Sequence, residues 1–196
     1  MLAAIEGARL LTPPASEPVT LERVKAHLRV DGDEENDLIS TLIVVARQYV
    51  EQRCWCALIN QTWILGLDTW PFEPLRLPMT PLLTRPTIVA VRYRDSSGSP
   101  VTLSSSVYTV LATGEFTLVH DQNWPGDVWT QWSIEIEYTV GYGATAQSVP
   151  APLVAVIKLL AGHLYENREA VSVGAGVAVS SVPLAVDSLL ALYEVR

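Results

Sequence analysis

Few residues in this chain are of types that could do chemistry, and their spacing argues against most of it. His120 stands beside Asp121 with Ser133 downstream, the three residue types of a nucleophilic triad. No G-x-S-x-G turn presents a serine, however, and such a trio occurs in almost any chain. Glu135 and Glu137 could imitate a carboxylate pair, but on a strand they share one solvated face. Gly141-Tyr142-Gly143 has neither the G-x-G-x-x-G nor the G-x-x-x-x-G-K spacing that cradles phosphate, so it reads as a glycine turn. His27, His120 and His163 lie in no H-E-x-x-H or C-x-x-C context. Cys54 and Cys56 flank Trp55. On a regular helix or strand, side chains two apart diverge, so two reduced structural thiols are expected, as in a cytosolic protein. The acidic set Asp31, Asp33, Glu34, Glu35 and Asp37 lacks the calcium-loop spacing and reads as helix capping. No catalytic residue, metal or cofactor is expected, and the chain is read as a non-enzyme.

Six tryptophans remain: Trp55, Trp63, Trp70, Trp124, Trp129 and Trp132. Aromatic platforms can bind sugars or single-stranded bases. They can equally fill a β core or anchor a protein interface. Pro125-Gly126-Asp127 breaks the segment from Trp124 to Trp132, so Trp124 and Trp129 are expected to make contacts from an exposed loop.

Composition points away from nucleic-acid grip and toward assembly. The net charge is −8 and no basic run occurs, which excludes a phosphate-binding surface. Charged residues are 17% of the chain against roughly 25% in typical globular chains, leaving little charge to solvate a large surface. No apolar run reaches the length of about 18 residues that suggests a membrane span. Met1–Leu11 lacks the basic start of a signal peptide, so neither export nor membrane insertion is expected.

The elements that would position these residues follow from periodicity. Pro13, Pro14 and Pro18 mark residues 1–19 as an arm or extended lead-in. Thr20 caps a helix with apolar Leu21, Val24 and Leu28. Asp31 with Glu34 resembles a capping box for a second helix, which runs to about Arg53. Strands are predicted at 62–67, 75–77, 87–93, 101–103, 108–111, 116–119 and 133–140. In the last, Ile134, Ile136 and Tyr138 alternate with Glu135, Glu137 and Thr139, which gives one wet face. A third, apolar helix begins near Pro150 and ends near Asn167. Residues 171–181 hold only Gly, Ala, Val and Ser, a linker composition. Pro183–Tyr193 is a short apolar segment that could form a few helical turns and dock. The fold class is therefore α+β. An N-terminal helix pair and a long C-terminal helix (20–59 and 144–170) form a helical core. An antiparallel β domain (60–143) is inserted between them, and 171–196 forms an extended C-terminal arm.

Four ordered segments resemble the head–tail connector (adaptor) family of phages and gene-transfer agents. They are Leu21–Asp31 with the Leu38–Glu51 helix; Gln61-Thr62-Trp63 with Leu67–Pro71; Leu77-Pro78 with Pro81-Leu82, the strand to Tyr93 and the Asp95–Gly98 turn; and Gly141–Glu169. Together they cover residues 20–170. The resemblance implies a ring of about twelve copies with head-to-tail contacts between neighbours. That ring would join the portal to the stopper or tail protein and enclose a channel through which double-stranded DNA passes without specific binding. It also implies a place at the head–tail junction of a virion or virus-like particle assembled in the bacterial cytoplasm. On this reading Pro183, Leu184, Leu189, Leu190, Leu192 and Tyr193 form a portal-binding arm. Tyr165, Glu166, Asn167, Arg168, Glu169 and Arg47 lie at the subunit interface. The rival reading is a Trp-rich β domain that binds carbohydrate or another ligand.

Overall fold

The computed structural model describes residues 7–126, 128–129, 132–167 and 184–194. The chain divides into two compact units. One comprises Met1–Ala15 and Asn60–Tyr142, the other Ser16–Ile59 and Gly143–Arg196. The class is α+β, with helices and antiparallel sheet in separate units.

The β unit holds two sheets. Strands β1 (Ala8–Thr12), β2 (Gln61–Leu67), β4 (Thr87–Arg94), β5 (Pro100–Thr102) and β8 (Ile134–Val140) form the larger, in the order β1-β2-β8-β4-β5. Strands β3 (Leu75–Arg76), β6 (Tyr108–Val110) and β7 (Glu115–Leu118) form the smaller, in the order β3-β7-β6. All pairs are antiparallel. The alternation expected on β8 is present. Ile134, Ile136 and Tyr138 are fully buried, while Glu135, Glu137 and Thr139 face outward. On that outer face Glu137 takes an ion pair from Arg92 of β4 at 2.7 Å. Ala8–Thr12, in the proline-bounded lead-in, pairs with β2 and forms the edge of the sheet.

Tyr138 is the largest fully buried side chain, and its hydroxyl donates to the Pro78 carbonyl at 3.2 Å. Burial raises its phenol well above the usual tyrosine range. The unfolded chain therefore releases this proton first, near pH 10. The contribution to stability is complete below that pH and is lost as pH rises toward the folded value. Tyr138→Phe is expected to cost about 1 kcal/mol near neutral pH through the lost hydrogen bond. It should also flatten the loss of stability above about pH 10. Urea titrations at the two pH values check both outcomes, and an unchanged alkaline slope would count against this assignment.

The helical unit contains α1 (Leu21–Leu28), α2 (Asn36–Cys54), α3 (Ala151–Glu166) and α4 (Leu184–Leu190). Thr20 caps α1 by accepting from the Arg23 amide at 3.4 Å. The capping box expected at Asp31 and Glu34 does not form. Helix α2 starts one turn later, after Glu35, and has no side-chain cap. Asp33 accepts from the Lys25 ammonium at 2.9 Å and the Asn36 amide at 3.0 Å, so the acidic loop is tied back to α1. Proline starts α3, as expected, and its Leu153, Val156 and Ile157 are fully buried. At Gly162 an added Cβ would lie 3.4 Å from the Leu28 side chain, the near limit of ordinary contact, so α3 and α1 are closely packed there.

Candidate functional site

The residues expected at a subunit interface lie at the C-terminal end of α3 and on α2. Tyr165 is half-buried, and its hydroxyl donates to the Glu35 carboxylate, which ties the end of α3 to the start of α2. Glu166 and Asn167 are exposed. The Asn167 side-chain amide donates to the His163 carbonyl at 2.8 Å and closes the helix end. Arg168 and Glu169 lie outside the described residues.

Arg47, also expected at the interface, is turned inward within its own chain and is 7% exposed. Its Nε lies 2.8 Å from Glu17 and its NH1 lies 2.6 Å from Glu51. Glu51 also accepts from the Leu58 amide at 3.0 Å. Burial opposes the guanidinium charge, but the Glu17 hydrogen bond and the two carboxylate charges outweigh it and raise the Arg47 pKa further. The cluster joins the segment before α1, the middle of α2 and the turn after α2.

The residues expected to form the C-terminal arm fall into two groups. Pro183 lies outside the described residues, and Leu184 opens α4. Val186 and Leu190 are fully buried within the helical unit, and Leu189 and Tyr193 are half-buried. Leu192 is 75% exposed. Just beyond, Glu194 pairs with Arg53 of α2 at 2.5 Å. The amphipathic pattern of this segment is therefore met by its own chain, which covers Leu190 and leaves Leu192 to solvent.

In the β unit Trp124 is not a free platform. It stacks on Trp70 with ring centroids 4.9 Å apart and planes 5° apart, and on Phe116 at 5.7 Å and 22°. Its Nε1 donates to the Pro71 carbonyl at 2.9 Å. Trp129 is half exposed and lies across Gly98, and Trp132 is half exposed across Gly7 and Gly66. Two apolar side chains that periodicity did not single out stand in solvent, Phe72 and Leu83. Both lie between prolines, Pro71/Pro74 and Pro81/Pro86, where neither a helix nor a strand period can give an apolar residue an inward place. That bracketing was the available signal.

The chemical candidates do not converge. His120 pairs with Asp121 at 3.1 Å in open solvent, whereas Ser133 is buried. Among the described residues no group of three or more His, Cys, Asp or Glu side chains could hold a metal ion. No described helix is long and apolar enough to cross a membrane.

What the geometry defines is an α+β protein whose exposed candidate residues, Phe72, Leu83, Trp129 and Leu192 among them, are apolar. Residues 18–74 match the family model described as phage gp6-like head-tail connector protein, the family that the residues themselves resemble. No curated protein sequence matches the chain. Among solved structures, a chain in the virion of native gene transfer agent (GTA) particle matches with a TM-score of 0.77 at 22% identity. A chain in the neck of an empty GTA particle, computed with C6 symmetry, matches with a TM-score of 0.76 at 23% identity. A chain in the neck of the native GTA particle, computed with C12 symmetry, matches at 0.69 and 23%. Each match covers 96% of this chain and 96% of the other. The likeness establishes the fold across both units.

Proposed function

We propose that this chain is a structural head–tail connector whose copies form a ring between the portal and the stopper or tail protein, at the head–tail junction of a virion or virus-like particle. The observation that carries this is the likeness, over 96% of both chains, to chains of GTA necks. The match of residues 18–74 to the connector family supports the same reading. The helical unit would supply the ring contacts, with the exposed end of α3 at Glu166 and Asn167 meeting the neighbouring copy. The β unit would decorate the ring, with Phe72 and Leu83 as apolar contact points. The C-terminal segment would engage the portal through Leu192, and more extensively if α4 leaves its own chain. A net charge of −8 suits a channel through which DNA must slide without being held.

The rival glycan-binding reading is weakened at Trp124, which is stacked against Trp70 and Phe116 and tied to the Pro71 carbonyl.

Mixing the protein with its cognate portal ring at micromolar concentration and low salt, and weighing the products by mass photometry, tests the proposal. The expected species is portal plus about twelve copies, one per step of a closed head-to-tail ring. Leu192→Asp should weaken that complex while the free protein stays folded. Free portal and free connector alone would count against the role.

A further inference from the structure

We propose that Cys54 and Cys56 form a closable dithiol, oxidised to an intramolecular disulfide by a disulfide oxidant once the C-terminal helix lifts from α2. In a continuous helix, side chains two residues apart lie on opposite faces. Here the helix ends between them. Trp55 has φ 55° and ψ 42°, a left-handed conformation, and the Cys56 amide donates back to the Glu51 carbonyl at 3.0 Å. Helix ends usually place glycine or asparagine in that conformation, and a bulky aromatic there is strained. After this turn the Cys56 thiol lies within hydrogen-bond reach of Cys54. The thiol of Cys56 donates to that of Cys54 and lowers its pKa, against burial and the nearby Glu194 carboxylate, which raise it. A left-handed residue mirrors the dihedrals of a helical one, so the Cα atoms flanking Trp55 are about 5.4 Å apart, as for residues two apart in a helix. That separation lies inside the range of roughly 4.4–6.8 Å that disulfides span.

Both cysteines are reduced and fully buried. The C-terminal segment lies beside them. Glu194 holds Arg53, the residue next to Cys54, at 2.5 Å, and Val186 and Leu190 of α4 are fully buried. The Glu194 carboxylate is close enough to act on the Cys54 thiol, so movement of this segment would open a path for oxidant to the pair. With glutathione disulfide, the Cys54 thiolate attacks one sulfur and releases one glutathione thiolate. Cys56 then gives up its proton and attacks the Cys54 sulfur of the mixed disulfide, releasing the second glutathione. Two thiols are oxidised and one glutathione disulfide is reduced to two glutathiones. Closure therefore records that the C-terminal segment has left α2. The inference does not depend on the connector reading.

The test incubates the full-length protein with glutathione disulfide and follows intact mass and mapped peptides. The expected product is a monomer that has lost two hydrogen atoms, with the bond between Cys54 and Cys56. It should form slowly in the unaltered chain and tenfold or more faster in Leu190→Ala, which weakens the seat of α4. Glu194→Gln removes the ion pair without touching the core, so it serves if Leu190→Ala fails to fold, and a severalfold increase is expected. Persistent single glutathione adducts, cross-linked dimers, or thiols that stay reduced in every variant while the urea-unfolded chain is oxidised would each overturn the dithiol. Equal rates in the unaltered chain and in both variants would overturn the covering role of α4.

Discussion

Arg47→Ala is expected to destabilise the helical unit by about 3–5 kcal/mol, the usual consequence of leaving a buried charge without its partner. The guanidinium neutralises Glu17 and Glu51, and Glu51 is only 5% exposed. Without it the Glu51 carboxylate keeps its hydrogen bond from the Leu58 amide but loses the Arg47 charge. Arg47→Lys should recover only part of the loss, because an ammonium cannot reach both carboxylates with the planar fork of a guanidinium. Removing the charges together, as in Arg47→Met with Glu51→Gln, should cost less than Arg47→Ala alone. Urea unfolding of the four proteins decides the matter. A loss below about 1 kcal/mol for Arg47→Ala would place the cluster among ordinary surface ion pairs.

Trp70→Ala should cost the β unit about 3–5 kcal/mol, the range for removing a large aromatic from a core. Trp70 is 9% exposed, stacks on Trp124 and meets the Tyr93 ring edge-on at 5.4 Å. Phe116 continues the stack beyond Trp124 and meets Tyr108 at 5.4 Å. Truncation removes the face against which Trp124 rests, so near-ultraviolet circular dichroism should change along with the unfolding midpoint. Trp129→Ala, at a half-exposed ring, should change stability little. The comparison separates packing from recognition. If Trp70→Ala left stability intact and abolished binding to a glycan array, the aromatic set would be a binding platform.

Much of the architecture was legible because local signals agreed with one another. Alternation at Ile134–Val140, the proline start of α3 and the Thr20 cap each describe a single element, and the energetics of each are set within a few residues. The predicted strands fall on observed ones, with ends shifted by a residue or two. The capping box expected at Asp31 and Glu34 was misplaced because α2 starts only after Glu35, behind a loop whose Asp33 is tied to Lys25, eight residues away. The Cys54–Cys56 approach could not be read because periodicity assumes a regular element, whereas one left-handed residue, Trp55, reverses the geometry. The tryptophans stayed ambiguous for a related reason: only their partners distinguish a stacked core ring such as Trp124 from a half-exposed one such as Trp129.

The sequence by itself determined the α+β class, the order of the elements from α1 onward but not the edge strand β1 within the expected arm, the absence of any spaced catalytic motif, and the resemblance to connectors over residues 20–170. These depend on periods, caps and turns, which act over short separations along the chain. The tertiary structure decided what those residues face. Arg47 is turned inward to Glu17 and Glu51, thirty residues and one turn away respectively along the chain. Leu190 is covered by its own helical unit while Leu192 remains in solvent. Trp124 stacks on two other rings, Trp70 and Phe116. Burial and charge pairing are properties of the partners a side chain meets, and those partners come from distant parts of the chain that only folding brings together.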